Sequence, residues 1–420
     1  LIPALCTLIA FFIFLLLEKL FLWQARKYFS LVIHVNGTRG KSTVTRMIHA
    51  LLREQGMEVY GKTTGSTARL LLPDGSEKPI RRFGSANVRE QRNMLLLSAC
   101  MVKKNPVNKK TALVFECNAV QEELQHISMR YLKPDITIIT NVRQDHAGEL
   151  GTPDKAAGIF ASAIPKNTVL ITSEEKYLPV FKKTAEEKNF SLFFHQPITE
   201  VTSMETSSSV ETPSSTENNF SFPDNNACVF GLASHLGIEE VTVLNTLSGY
   251  TSDAGAYREY SFKEGMGQDS KHVYFADARA VNDVESAEYI LSKAFKKNLA
   301  EDPATGTSSF ILLLVNREDR PERTLDFLQF IINMASIDND DRIKFNKYIS
   351  LGHNPLYFRK KLKEAGVEHE IISGFNDLDK IINGVPQKNI NIFAMGNYGG
   401  KGKQIDTWLK QKINRGKHAS

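Results

Sequence analysis

Leu31-Val32-Ile33-His34-Val35-Asn36-Gly37-Thr38-Arg39-Gly40-Lys41-Ser42-Thr43 is the stretch that decides the fold. An apolar run of the type that fills a buried strand leads into a glycine-punctuated turn. From Val44 to Gln55 the apolar residues then recur at helical spacing, with Gly56 as a stop. Strand, glycine turn and helix in that order make a phosphate-binding loop. Gly37 and Gly40 let backbone amides converge on phosphate oxygens, Lys41 supplies a point charge, and the Ser42 hydroxyl suits Mg²⁺. Val35 stands where the first glycine of the common G-x-x-x-x-G-K form would fall, so this is the shorter G-T-x-G-K-[ST] version.

Outward from the loop, further strands are expected at Ala112 to Phe115, Ile136 to Thr140 and Thr168 to Ile171, separated by helical stretches. A mainly parallel sheet follows. Residues 198–220 are rich in Ser, Thr and Glu, have few large apolar side chains, and read as a mobile insertion. Two helices are expected at Asn225 to Gly237 and Ile238 to Leu247. Beyond a boundary placed near Gly265 to Lys271, short apolar strands at Val273 to Ala276, Phe310 to Val315, Lys347 to Ser350 and Asn391 to Ala394 alternate with helices such as Asp283 to Phe295 and Arg320 to Ala335. The expected architecture is α/β: a P-loop parallel-sheet ATPase domain over 30–265, then a smaller Rossmann-like domain over 271–413.

The chain has 420 residues, 42% of them hydrophobic, enough for two cores. Its net charge of +5, from 52 basic and 47 acidic residues, is too mild and too evenly spread for a nucleic-acid binder. Cys6, Cys100, Cys117 and Cys228 form no CxxC pair, so no zinc site or disulfide framework is indicated. The N-terminus departs from this globular composition. Leu1 to Leu17 is uncharged, and the apolar run resumes after Glu18-Lys19 up to Trp23. Residues 1–23 are therefore expected to form a transmembrane anchor, with Arg26 and Lys27 placing the remainder in the cytoplasm. A secretory signal is disfavoured by the lack of a basic n-region and of a small-residue cleavage pattern. Because the first residue is Leu, a few upstream residues are expected to be missing.

Other candidate residues follow the loop in order. Glu116 ends the strand Leu113-Val114-Phe115, and Asn141-Val142-Arg143-Gln144-Asp145-His146 follows Ile136 to Thr140. Singly these read as a cap, a salt-bridge partner or a helix start. Together, behind a phosphate loop, they resemble the Mur ligase and folylpolyglutamate synthetase superfamily. That resemblance implies that Ser42, Glu116 and His146 hold Mg²⁺ beside ATP bound by Gly37, Thr38, Arg39, Gly40, Lys41, Ser42 and Thr43, with Lys41, Glu116 and His146 catalytic. It implies nucleotide contacts from Asn226, Arg258, Asp277 and Asn282 as well. For Arg258, Asp277 and Asn282 a boundary salt bridge or a helix cap is an equal alternative.

Two departures narrow the choice. The phosphate loop begins at Asn36, so the domain that holds a nucleotide-linked muramyl peptide is not expected, and peptidoglycan ligation is disfavoured. Where the Mur family's carbamylated lysine is expected, the chain reads Ala156-Ala157-Gly158, with Lys155 a turn too early. The strings Lys62-Thr63-Thr64-Gly65-Ser66, Asn316-Arg317-Glu318-Asp319-Arg320-Pro321 and Gly396-Asn397-Tyr398-Gly399-Gly400, with the N-terminal anchor, resemble the ligase-subunit family of bacterial poly-γ-glutamate synthases. The resemblance implies an ATP-dependent amide ligase that adds glutamate to a poly-γ-glutamate chain through an acyl phosphate. It also implies a single-pass bacterial cell-membrane protein with partner subunits of the PgsC/CapC and PgsA/CapA type. Lys78, Arg81, Arg82, Arg89 and Arg92 are candidates to border the polyanion's path, with solvated surface charge as the equal alternative. The rivals are a folylpolyglutamate synthetase-like ligase and a P-loop ATPase that drives transport or switching.

Overall fold

The computed structural model describes residues 2–417 apart from 66, 83, 85, 105–108, 145–146, 198–221, 253–255, 266–269, 282, 302–307, 337–343 and 355. The expected insertion at 198–220 and the candidates His146 and Asn282 thus lie outside the described residues. The chain divides into two compact units, one holding the described residues up to 252 and the other those from 256 onward.

The first unit opens with one long helix, α1 (Ile2–Arg26). Then come β1 (Leu31–Asn36), α2 (Lys41–Glu54), β2 (Glu58–Thr63), β3 (Arg69–Leu71), β4 (Glu77–Pro79), α3 (Arg89–Lys104), β5 (Thr111–Glu116), α4 (Glu122–Leu132), β6 (Ile136–Ile139), α5 (Ala147–Leu150), α6 (Pro153–Ala163), β7 (Val169–Thr172), α7 (Leu178–Lys188), β8 (Ser191–Phe194), α8 (Pro223–Leu236) and α9 (Glu240–Gly249). Their strands form an eight-stranded sheet in the order β4-β3-β2-β5-β1-β6-β7-β8. It is parallel except where β3 and β4 extend one edge as antiparallel strands. Alternation along β1 explains why both faces are covered. Ile33 and Val35 enter a core with α2, α8 and α9, whereas Val32 enters another with Leu95 and Ala99 of α3 and Leu132 of α4. The α2 stripe Val44, Met47, Ile48, Leu51 and Leu52 is buried, and Gly56, at φ 75°, follows its end.

His34, also on β1, is fully buried and shares a 3.1 Å hydrogen bond with Ser128 of α4. Burial, reinforced by the charge on nearby Lys62, holds its pKa down to about 3 from 6.5. Between those values the unfolded chain takes up a proton that the folded chain refuses. The unfolded state then binds more protons, so stability falls as pH falls below 6.5. From pH 7 to pH 5 this one group costs about 2 kcal/mol, at roughly 1.4 kcal/mol per pH unit below 6.5. His34→Gln is expected to flatten the pH dependence of the denaturant midpoint by about one proton over that range. An unchanged slope would show that His34 is not the group responsible.

The second unit comprises β9 (Arg258–Glu264), β10 (Lys271–Ala278), α10 (Val284–Glu301), β11 (Ser308–Asn316), α11 (Pro321–Ser336), β12 (Lys347–Gly352), α12 (Leu356–Glu364), β13 (His369–Ile372), α13 (Phe375–Gly384), β14 (Asn389–Gly396) and α14 (Gly402–Lys417). Its sheet runs β13-β12-β11-β14-β10-β9, parallel but for the β9 edge. The boundary expected near Gly265 falls too late. Arg258–Glu264 pairs residue for residue with β10, from Glu264 opposite Lys271 to Arg258 opposite Asp277, and so belongs to the second sheet. One face of this sheet is filled by aliphatic side chains around Trp408. On the other, Phe295 meets Phe310 and Phe393 edge-on at 5.3 and 6.2 Å between ring centroids.

Candidate active site

In the first unit, the loop after β1 and the N-terminus of α2 lie at the C-terminal ends of the central strands, where the strand order puts β5 and β6 on either side of β1. Backbone geometry makes glycine necessary twice. Gly37 has φ 115° and its added Cβ would strike Thr140 Oγ1; Gly40, which caps α2, has φ 77° and its added Cβ would strike the Asn225 carboxamide. The α2 amides that follow have no partner within the helix, which is what an anion requires.

The loop is held from behind by the segment after β6. Asn141 Oδ1 accepts from Thr38 Oγ1 at 2.8 Å and from the Arg39 amide at 3.0 Å. Thr38 N donates to the Asn141 carbonyl, and Arg143 N donates to Thr38 Oγ1 at 2.9 Å. Asn141, the first residue of the N-x-x-x-D-H string, thus fixes the phosphate loop. The string's Asp145 and His146 fall outside the described residues. Lys41 Nζ donates to the carbonyls of Gly37 and Thr38 at 2.8 and 2.9 Å, folded back over its own loop.

Glu116, buried at the end of β5, accepts through Oε2 from Ser42 Oγ at 2.7 Å and from the Thr64 amide at 2.6 Å. Two oxygens side by side, one hydroxyl and one carboxylate, fit Mg²⁺. In its octahedral shell, with arms of about 2.1 Å, neighbouring oxygens lie roughly 3 Å apart and much of the remainder is water or phosphate oxygen. Behind Glu116 sits a buried polar cluster that the sequence did not reveal as a site. Lys62, fully buried, donates to Gln91 Oε1 at 3.0 Å and pairs with Glu90 at 3.1 Å. Gln91 Nε2 donates to the Glu116 carbonyl at 2.9 Å, and Arg82 binds Glu90 at 2.6 Å. Burial drives the Lys62 pKa down, opposed by Glu90. Glu90 itself is held low, Arg82 and Lys62 outweighing its own desolvation. The visible signal was a lysine at the end of the run Glu58-Val59-Tyr60-Gly61, which alternation alone does not mark as interior.

Lys62→Met is expected to lower stability by about 3 kcal/mol, because it removes one partner of a buried pair and a donor to Gln91. Thermal denaturation checks it. A melting temperature unchanged within about 2 °C would mean that the cluster is not load-sharing in this way.

Candidates placed elsewhere meet different surroundings. Asn225 and Asn226 are both buried in the first turn of α8, each with Oδ1 lacking a hydrogen-bond partner among the described residues, and Asn225 is the one that abuts Gly40. Arg258 and Asp277 face each other across β9 and β10 in the second unit. Both Asp277 oxygens are taken by fully buried Arg279, at 2.6 and 2.5 Å, and Arg279 also binds Asp406 at 2.6 Å. The strings around Asn316 and Asn397 meet in the same unit, with Asn397 Nδ2 on the Val315 carbonyl, Arg323 on Asn397 Oδ1 at 2.9 Å and the Tyr398 hydroxyl on Asp406 at 2.6 Å. Of the basic residues proposed for a polymer path, Arg82 pairs with Glu90 and Arg92 with Glu18 of α1, while Lys78, Arg81 and Arg89 are exposed. Lys155, in the first turn of α6, is exposed.

Comparison with known proteins bears on this geometry. Residues 35–236 match the Mur ligase middle domain family, and residues 263–412 match the family described as the poly-gamma-glutamate synthase CapB C-terminal domain. The capsule biosynthesis protein CapB of Bacillus anthracis is 29% identical over 392 residues, covering 91% of this chain and 77% of that protein. The PGA synthase CapB of Bacillus subtilis (strain 168) is 30% identical over 304 residues, covering 71% of each. Among solved structures, a bifunctional folylpolyglutamate synthase/dihydrofolate synthase from Yersinia pestis, complexed with AMPPNP and Mn ion, superposes with a TM-score of 0.60. It covers 93% of this chain and 92% of that one at 10% identity, a likeness of fold.

Proposed function

Because this chain belongs to the poly-γ-glutamate synthase CapB family, built on a Mur ligase middle domain, we propose that its phosphate-loop unit holds ATP for the step that activates a glutamate-chain carboxylate. The protein is an ATP-dependent amide ligase of poly-γ-glutamate synthesis. The observation that carries the residue assignment is the 2.7 Å approach of Ser42 Oγ to Glu116 beside a glycine-built loop with a lysine folded over it.

Amide formation in water needs a better leaving group than oxide. In this reading the chain's terminal carboxylate attacks the γ-phosphorus of ATP, ADP departs, and an acyl phosphate results. The amine of the incoming glutamate attacks its carbonyl carbon, and phosphate leaves. Lys41 and the amides of residues 37–43 hold the phosphates in line. Ser42 and Glu116, with His146, would hold Mg²⁺, and the bound ion would supply positive charge against the phosphate oxygens. Asn226, Arg258, Asp277 and Asn282 are assigned nucleotide contacts on the strength of their match to the superfamily's pattern; in the second unit both Asp277 oxygens accept from Arg279.

We place the protein in the cell membrane with its catalytic units in the cytoplasm, beside membrane subunits that receive the polymer. One helix among the described residues, Ile2–Arg26, is long and apolar enough to cross a bilayer. Its last turns support an anchor over a cleaved signal, since Ala25 is buried in the first unit and Arg26 forms a two-pronged pair with Asp135 at 2.7 Å.

Membranes carrying the full chain, given ATP, Mg²⁺ and radiolabelled glutamate, are expected to form a folate-free polymer with one ADP released per bond. Label recovered on a folate, or ATP turnover with no amide product, would overturn the assignment in favour of a folate ligase or a P-loop ATPase respectively.

A further inference from the structure

The direction of α1 along the first unit points to which end of that unit meets the lipid. At one end of the helix, Arg26 binds Asp135 and donates to the Lys133 carbonyl at 3.0 Å. Asp135 immediately precedes β6 and also accepts from the amide of Val32 at the start of β1, at 2.7 Å. Residue 26 therefore sits at the N-terminal ends of the parallel strands. Eight residues earlier, Glu18 pairs with Arg92. The neighbour of Arg92, Gln91, reaches the carbonyl of Glu116 and the ammonium of Lys62, near the C-terminal ends of β5 and β2. Between the two, Leu22 and Ala25 pack against the cluster that contains Leu95, Ala99 and Val102 of α3.

The helix thus rises from the strand starts toward the catalytic end, covering about 12 Å in those eight residues at 1.5 Å each. Ile2 to Leu17 then continues roughly 24 Å farther the same way. That projecting part is apolar all round: Leu5, Leu8, Phe11, Phe12, Phe14 and Leu16 are each at least half exposed. Such a helix is built to be surrounded by hydrocarbon instead of lying along a surface with one polar face.

We propose that the first unit stands with its catalytic end toward the bilayer, so that the phosphate loop, Ser42 and Glu116 face the headgroup layer and the lengthened polymer leaves on that side. The inference rests on α1 spanning the membrane and adds the orientation. Its chemical consequence is a short path: the polyanion leaves the site on the side from which it must be exported, without passing around the protein.

Depth measurements on the full chain in lipid nanodiscs test this. Native Cys6 lies in the projecting run, and exposed Cys100 is replaced by Ser. In a Cys6→Ser, Cys100→Ser background, fluorophores are placed at Glu122→Cys, in the first turn of α4 at the catalytic end, and at Lys166→Cys, just before β7 at the opposite end. Both positions are exposed and neither belongs to the site. Nitroxide-headgroup lipids are expected to quench the probe at 122 several-fold more than the probe at 166. Equal quenching or the reverse order would overturn the orientation. A probe on Cys6 separates the two ideas: shielding from a water-soluble quencher supports the span, whereas full accessibility would overturn the span and the orientation with it.

Discussion

Lys41→Ala is expected to lower ligation by about 10³-fold or more while leaving the protein folded, since on the proposed reading it deletes the charge that meets the phosphates. The structure says why folding should survive. Lys41 is only partly buried, and among the described residues its ammonium donates to the loop carbonyls of Gly37 and Thr38, which water can satisfy after the change. Those two bonds also show that the lysine must swing from its own loop to reach a nucleotide. Product formation at matched protein levels, with circular dichroism as the folding control, checks this. Near-normal polymer synthesis would remove the ATP-site assignment.

Glu116→Gln is expected to cost about 10²-fold in turnover at fixed Mg²⁺, with partial recovery as Mg²⁺ is raised. Glutamine keeps the shape and can still accept from the Thr64 amide, so the variant separates charge from scaffold. His146→Ala is expected to shift the Mg²⁺ requirement in the same direction. A Glu116→Gln protein that melts several degrees lower yet shows an unchanged Mg²⁺ dependence would make Glu116 a structural carboxylate.

The parts of this molecule legible in the sequence are those in which one face of the physics dominates. The runs at β1, β5, β6 and β11 are mostly apolar and almost continuously buried because helices cover both sides of a parallel sheet, and continuous burial needs no alternation to be seen. The phosphate loop was legible because glycine is required where φ is positive. β9 was misplaced across the boundary because Arg258, Glu259, Lys263 and Glu264 make it look like linker, although only Phe262 among its residues is fully buried. Edge strands tolerate such charge. The cluster behind Glu116 was illegible for a different reason. Glu90 and Gln91 come from α3 and Lys62 from β2, and nothing along the chain announces that a buried lysine will find partners 28 and 29 residues away. Likewise Arg82 and Arg92 read as solvent charges until their carboxylate partners are placed.

The junction between α1 and the first unit carries a mechanical consequence. Only residues 27–30 separate the helix from β1, and each is tied down. Lys27 lies over the Trp23 ring at 3.2 Å, the Tyr28 carbonyl accepts from Thr111, Phe29 is buried against Tyr60, and Ser30 donates twice to the Thr111 carbonyl. No swivel exists there. A spanning helix answers a thicker or thinner bilayer by changing its tilt. With no hinge to absorb it, that tilt passes into the catalytic sheet as a lever passes rotation to its load. On the proposed membrane placement, lipid thickness would thereby set the angle of the first unit.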